Sequence, residues 1–374
     1  MSMLNPLLTQ TPPKVRSEAA VLRTVEGRFS LEPVWLPPLA PDDVLVRVVG
    51  AGMCHTDLLV RNGIAPLPVV LGHEGSGVVE DVGSSVRGLQ RGDHVVLSFD
   101  SCGACRSCQS GASSYCTSFI DLNTRGHVVD GAGTAHDEAG ATIHHRWFGQ
   151  SSFSTYAVAK ARNAVSVDRD LPLELLGPLG CGIQTGAGAV LNVLQPGPGG
   201  SIGVFGGGAV GLAGVLAAKA SGASKIVVVE PNKYRRELAL SLGATHAVNP
   251  GPDVVEEIKD TAGALDCTLD TTGASEAIRA AVGVLRPLGR CGVVSWRTAD
   301  PVIGPMDLVM EGRSLIGICE GGAQPAVFIP QMLQMWRSGD FPFDRLIQTF
   351  PFSEIDQAER ASRDGSVIKP VLVM

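Results

Sequence analysis

Residues 201–220 read SIGVFGGGAVGLAGVLAAKA. Ser201 to Phe205 form a short apolar run suited to a buried strand, and the residues after Ala209 are helix formers. Between them, Gly206, Gly208 and Gly211 fall in a G-x-G-x-x-G pattern. In a chain with 46 glycines that hexamer alone carries little weight. Its surroundings supply the weight, because an acidic residue, Glu230, closes the next apolar run 19 positions beyond Gly211. Glycines let the backbone approach a pyrophosphate, whose charge is favoured by the helix N-terminus. A carboxylate at Glu230 accepts hydrogen bonds from ribose hydroxyls and repels a 2′-phosphate, which favours NAD over NADP. Lys233, Arg235 and Arg236 in NKYRRE pull the other way, since arginines there can accommodate that phosphate.

Outward from this stretch the same rhythm continues. KIVVVE, HAVN, LDCTLDTTG and RCGVVSW read as strands; KYRRELALSLG, VVEEIKDTAG and SEAIRAAVGVLRPLG read as helices between them. Alternation of apolar strands with helices predicts a doubly wound parallel sheet. From Ala19 to Val167 the pattern is different: DVLVRVVGAG, GSGVVEDVG and GDHVVLS are short β-like runs broken by Gly and Pro. The tail, residues 341–374, breaks the alternation with one helix-like segment and a final strand. The expected division is an irregular β domain over residues 1–183, completed by 320–374, and a parallel-sheet domain over 184–319.

A net charge of −7 leaves no basic surplus to neutralise phosphates, which argues against a nucleic acid or an anionic membrane as partner. No apolar run reaches the length of a membrane span. The first 17 residues, MSMLNPLLTQTPPKVRS, have three prolines and no continuous apolar core, so they read as a frayed lead-in and not as a signal peptide. Nine cysteines without such a signal point to a reducing compartment, the cytoplasm.

Four of those cysteines, Cys102, Cys105, Cys108 and Cys116, crowd into SCGACRSCQSGASSYC with C-x2-C-x2-C-x7-C spacing. That is the pattern of a closed, all-thiolate structural zinc site, which leaves no position for a substrate. Cys54 in GAGMCHTDLL, His73 in VVLGHEGSG and Cys181 in PLGCGIQTGAG all sit at Gly-flanked bends. Together they offer two thiolates and one imidazole, with a fourth metal position free, the ligand set the general zinc rules give for alcohol dehydrogenase. Cys267, Cys291 and Cys319 lie in strand-like apolar runs and read as core.

The chain resembles the zinc-dependent medium-chain alcohol dehydrogenases over nearly its whole length. CHTD, GHEGSGVV, the four-cysteine loop, GCGIQTGAG, GGGAVG and IKPVL occur in that family's order and spacing. FGQSSFSTYAV and GCGIQTGAGAVLN look most like the aryl (benzyl) alcohol branch. The resemblance implies an α/β fold: a GroES-like irregular β catalytic domain plus a Rossmann domain. It implies two zinc ions per chain, a catalytic one on Cys54, His73 and Cys181 and a structural one on the four-cysteine loop. Glu74 is implied as an occasional alternative ligand, and Asp57 as the carboxylate orienting His73. Thr56 would accept the alcohol's proton, and His55 would lie against the cofactor pyrophosphate. Gly206, Gly207, Gly208, Ala209, Val210 and Gly211, with Glu230, Arg235 and Lys369, are implied as NAD contacts. Leu59 stands where many members carry a proton-passing His.

The implied reaction is hydride transfer between a primary aryl or allylic alcohol and NAD, giving an aldehyde. The pocket wall is expected to include Ser98 or Phe99, Trp147 and Phe148. Partners are then a small alcohol or aldehyde and a second copy of the chain, as homodimer or homotetramer. A glutathione-linked formaldehyde or a polyol dehydrogenase is the related alternative, although polyol enzymes commonly lack the second cysteine ligand. A zinc-bearing regulatory or nucleic-acid-binding protein is the non-enzyme alternative, against which the acidic balance speaks.

Overall fold

The computed structural model describes residues 15–125, 134–295 and 303–374. Residues 1–14 of the expected lead-in, and Trp296 of RCGVVSW, lie outside these residues. The last three residues of that lead-in are not frayed: Val15, Arg16 and Ser17 open the strand Val15–Leu22, paired to Phe29–Leu36, and the buried Ser17 hydroxyl meets that of Ser154 at 2.6 Å.

A six-stranded, all-parallel sheet runs in the order His246–Val248, Lys225–Val229, Ser201–Phe205, Leu265–Asp270, Leu285–Val293, Ser314–Gly317. Ile202, Val204, Val227 and Val228 are fully buried, as expected of strands covered on both faces. Helices Ala209–Ala220, Lys233–Leu242, Val254–Ala262 and Ser275–Gly283 connect the strands. The last helix is shorter than SEAIRAAVGVLRPLG suggested, because Leu285 already begins the next strand. In chain order the sheet reads 3-2-1-4-5-6, so strand addition reverses between Ser201–Phe205 and Leu265–Asp270. A crevice opens at the carboxyl ends of these two strands, where Gly206 begins.

Two glycines shape that crevice. Gly206 has φ +100, a left-handed conformation in which any side chain would press on Thr271 Oγ1. A Cβ at Gly211 would collide with the Gly206 carbonyl oxygen, so this position fixes how closely the helix approaches the turn.

The other part is antiparallel and centres on strand Asp43–Gly52. Glu74–Val82 pairs along one edge; Tyr156–Lys160 and the C-terminal strand Lys369–Val373 share the other. The tail therefore returns to the first part of the chain. It also adds a strand the sequence pattern did not reveal, Ile347–Pro351, parallel to Lys369–Val373. A second sheet joins Val69–Val70, Val15–Leu22, Phe29–Leu36, Ala135–His136 and Thr142–Ile143. Short helices His55–Leu58, Arg106–Gln109 and Phe119–Thr124 interrupt this part. At four to six residues they are too short for hydrophobic periodicity to register. Asp43, fully buried, ties the sheet to a loop through Arg146 Nη2 at 2.5 Å and Lys160 Nζ at 3.1 Å. Helix Gly182–Gly188, continued by a wider turn to Leu194, carries the chain from the antiparallel part into the parallel one.

Gly211→Ala should lower stability by roughly 1–3 kcal/mol, the usual cost of overpacking, and weaken dinucleotide binding. A thermal melt and a cofactor titration check this; an unchanged Tm would mean the helix can retreat from the turn at no cost.

Candidate active site

A cleft of about 1260 Å³ separates the bend at Cys54–Leu59 from the carboxyl ends of the parallel strands. Gly206, Gly208 and Glu230 line one end; Cys54, Thr56 and Cys181 line the other.

At the second end the chain brings together residues far apart in sequence. Ligand atoms of Cys54, His73, Glu74 and Cys181 all lie within 4.8 Å of one another. Cys54 starts the one-turn helix His55–Leu58, where the Asp57 carboxylate turns back to accept the Cys54 backbone N–H at 3.1 Å. The other Asp57 oxygen accepts from Gly72 N at 3.1 Å, His73 Nδ1 at 2.8 Å and Trp147 Nε1 at 3.0 Å. Asp57 therefore both caps a helix and orients His73. With Nδ1 so engaged, His73 Nε2 is buried and has no hydrogen-bond partner among the described residues. Phe148 stacks on the imidazole, centroids 4.5 Å apart, and Gln150 Nε2 holds the His73 carbonyl at 2.9 Å. A hydrogen bond from the Cys181 thiol, opposed by burial and aided by the Lys369 ammonium, holds Cys54 well below the usual thiol range. The same contact, with burial, pushes Cys181 up. An orphaned imidazole nitrogen beside two thiols, one of them readily ionised, is a donor set that fits zinc.

Glu74 is fully buried, and both its oxygens are occupied. Lys369 Nζ donates to them at 2.8 and 2.9 Å, and Gly182 N donates to one at 2.9 Å. The third Lys369 bond goes to Met53 O at 3.1 Å. Lys369, expected on the cofactor pyrophosphate, is thus buried behind the cysteine–histidine cluster with its donors spent. Burial opposes its charge, but Glu74 outweighs that and holds its pKa above the ordinary lysine value.

Glu320 was not among the residues expected at the site. It lies on the cleft lining, nine-tenths buried, with Oε1 3.6 Å from Cys181 Sγ and Oε2 3.2 Å from Gln184 Nε2. Burial pushes its carboxyl up to about 7. A Gly-Gly pair such as Gly321–Gly322 is a local turn signal, but nothing local says that the turn abuts Cys181.

In the four-cysteine loop, Cys105 and Cys102 stand 3.5 and 3.9 Å from Cys108, sulfur to sulfur. Thiolates at about 2.3 Å from a tetrahedral ion would be about 3.8 Å apart. Backbone N–H groups of Ala104 and Cys105 point at Cys102 Sγ, and those of Cys102 and Ser118 at Cys116 Sγ. Such donors favour thiolates; those of Cys108 and Thr117 lower Cys105 to about 5, whereas at Cys116 burial outweighs them and pushes the thiol up to about 12. Tyr115 leans from this loop onto the Gly317 carbonyl at 3.4 Å, against the segment that carries Glu320.

At the other end, Glu230 takes Gly207 N at 2.6 Å and Asn232 N at 2.8 Å, which fixes its carboxylate beneath the glycine-rich turn. Arg236 is spent on the Glu230 and Pro231 carbonyls and on Asn249; Lys233 is exposed beside Glu237. Arg235 lines the cleft, and one of its Nη atoms reaches Gly365 O at 3.3 Å. His55, Thr56 and Leu59 also face the cleft.

The expected pocket wall needs correction. Phe148 lines the cleft, but Trp147 is fully buried and acts through Asp57. Ser98 is buried with its hydroxyl on the Gly180 carbonyl, and Phe99 packs on Phe119 behind the wall. Cys267 and Cys291 are buried strand residues as expected. Cys319 is not core: it lies past the end of strand Ser314–Gly317, half-buried on the cleft.

Residues 40–169 match the alcohol dehydrogenase GroES-like domain, and residues 209–337 match the zinc-binding dehydrogenase family. The chain is 50% identical to geraniol dehydrogenase of Castellaniella defragrans, over 98% of this chain and 100% of that one. Among solved structures, an alcohol dehydrogenase zinc-binding domain protein from Burkholderia ambifaria superposes with TM-score 0.94 at 45% identity, covering 97% of this chain and all of that one. Benzyl alcohol dehydrogenase from Acinetobacter calcoaceticus superposes with TM-score 0.91 at 42% identity, covering 96% and 99%.

Lys369→Met should cost roughly 3–5 kcal/mol of stability by leaving Glu74 buried and unpaired. Adding Glu74→Gln should recover most of that loss. Chemical denaturation of the single and double variants tests the coupling; strictly additive losses would show that the two side chains do not depend on each other.

Proposed function

We propose that this chain, which belongs to the zinc-binding, GroES-like family of alcohol dehydrogenases, oxidises primary aryl or allylic alcohols to aldehydes with NAD in the cleft between its antiparallel part and its parallel sheet. One observation carries the reading. The cluster of Cys54, His73 and Cys181 and the Gly206–Gly211 turn with Glu230 face the same cleft, so a metal-bound alcohol and a dinucleotide can meet there.

Cys54, His73 and Cys181 would hold a catalytic zinc, and Cys102, Cys105, Cys108 and Cys116 a structural one. When bound, the first metal would polarise the alcohol oxygen, and the dinucleotide would accept hydride from the carbinol carbon. The protein's own work is placement and proton handling. Thr56 Oγ1, 3.9 Å from Cys54 Sγ, is a hydroxyl that can take the alcohol's proton and donate its own. Leu59 lines the cleft and cannot carry that proton further, so it leaves through water or through exposed His55. Phe148 gives the site an apolar wall that excludes water and suits a flat or unsaturated group.

Glu230 supports NAD, because its carboxylate is fixed beneath the glycine-rich turn, where it would repel a 2′-phosphate, and Nη1 of Arg236 is engaged by the Glu230 and Pro231 carbonyls. An exposed edge strand, Ser314–Gly317, flanked by exposed Met306, Val309 and Met310, supports a homo-oligomer. All nine cysteines are unpaired, which suits the reducing cytoplasm. No helix of the described residues is long and apolar enough to cross a membrane.

Freshly purified protein should contain two zinc ions per chain. Cys181→Ser should lose one of them, and turnover with it, while keeping its fold. Cys105→Ser should instead lower Tm, because affinity for structural zinc is folding energy. Elemental analysis beside a thermal melt decides this, and a single zinc in wild type would contradict it.

With NAD, kcat/KM should be higher for benzyl alcohol, cinnamyl alcohol and geraniol than for ethanol, since each buried methylene contributes about 0.8 kcal/mol. Thr56→Ala should reduce kcat by about 10²-fold or more, the scale of general acid–base assistance, while Thr56→Ser retains most of it. A preference for ethanol or for S-hydroxymethylglutathione would overturn the substrate assignment.

A further inference from the structure

Glu320 is a buried carboxyl with no cationic hydrogen-bond or ion-pair partner among the described residues. Its contacts are neutral and long: Gln184 Nε2 at 3.2 Å, Thr185 Oγ1 at 3.5 Å and Cys181 Sγ at 3.6 Å. The backbone holds it in place at φ 48, followed by Gly321 and Gly322 at φ 67 and 59. A carboxyl nine-tenths buried on the cleft wall, held by a left-handed residue beside a thiol, implies a compensating partner.

The separation from Cys181 suggests what that partner is. A thiolate at about 2.3 Å and a carboxylate oxygen at about 2.0–2.2 Å from one tetrahedral zinc ion stand about 3.5–3.7 Å apart. Oε1 of Glu320 and Sγ of Cys181 are 3.6 Å apart. Glu74 also lies among the cysteine and histidine ligand atoms, within 4.8 Å of each. Its oxygens, however, already take Lys369 and Gly182, so to bind a metal it must abandon a buried ammonium. Glu320 gives up only weak contacts with neutral groups.

We propose that Glu320, and not Glu74, is the carboxylate that closes the fourth position of the metal at Cys54, His73 and Cys181 when no alcohol is bound, and that the alcohol displaces it. The ligands then come from both sides of the cleft, because Glu320 follows the edge strand of the parallel sheet, and alcohol binding frees that wall. The proposal rests on the assignment of a metal to Cys54, His73 and Cys181.

Cobalt(II) in place of zinc reports ligand number and type by its visible absorption. Wild type should take two cobalt ions per chain; if the Cys54–His73–Cys181 site takes none, the metal assignment itself fails, and this proposal with it. With both bound, Glu320→Gln should shift the visible bands of one cobalt, while Glu74→Gln leaves them unchanged. Imidazole, used as an external ligand, should bind Glu320→Gln about tenfold more tightly than wild type, as expected when a competitor holding the position nine-tenths of the time is removed. Should Glu320→Gln fail to fold, Glu320→Asp keeps the charge, shortens the reach by one methylene, and should give the same spectral shift. Wild-type bands and imidazole affinity in the Glu320 variants, or a shift produced by Glu74→Gln instead, overturn the proposal while leaving the metal assignment standing.

Discussion

A single buried carboxylate, that of Asp57, sets the geometry on which the site depends. It gathers N–H groups from Cys54, Gly72, His73 and Trp147, four points on three separate segments of chain. An ionised group this deep is tolerated only when its lone pairs are filled, and here they are. The consequence reaches past Asp57 itself. Cys54 is held at the head of its helix, the imidazole is turned so that Nε2 faces the thiols, and the loop bearing Trp147 is pinned over both. That loop needs pinning, because Arg146, Phe148 and Ser151 all have positive φ. Such conformations cost on the order of 1–3 kcal/mol each. The Arg146–Asp43 pair and the Ser151 hydroxyl, bonded to Trp147 N and Val70 O, hold the strained residues from the other side.

From this frame the cleft follows. The antiparallel part supplies Cys54, Thr56 and His73, and the parallel sheet supplies the turn at Gly206 and the carboxylate of Glu230. Cys181 stands where the chain passes from one to the other, at the start of helix Gly182–Gly188. The Glu74–Lys369 pair lies directly behind it and joins the C-terminal strand to the same helix through Gly182 N. The closing strand of the protein therefore bears on the site, although none of its side chains lines the cleft. Tyr115 makes a comparable link from the four-cysteine loop to the wall that carries Glu320.

Most of the parallel sheet was readable in the sequence because its helices and longer strands show their own period, and Gly206, Gly211 and Glu230 punctuate it at fixed spacing; the edge strand Ser314–Gly317, four residues long, went unread. The cysteines and His73 stood out for a related reason: a metal-binding side chain at a Gly-flanked bend is locally conspicuous. What escaped were contacts across long sequence separations that no motif marks. Trp147 looked like a pocket wall, since an aromatic residue beside Phe148 gives no hint that its N–H is spent on a carboxylate 90 residues away. Lys369 looked like a phosphate contact, since a lone lysine at a strand end does not announce a buried partner 295 residues earlier. Glu320 and Cys319 were concealed in an apolar run whose last residues leave the sheet and turn into the cleft.

Anomalous diffraction at the zinc edge, from crystals of the protein as purified, tests the central claim most directly. Two peaks per chain are expected: one bounded by Cys102, Cys105, Cys108 and Cys116, the other by Cys54 Sγ, His73 Nε2 and Cys181 Sγ on the floor of the cleft. A map with density only at the four-cysteine loop, or with the second peak away from His73 Nε2, would contradict the account.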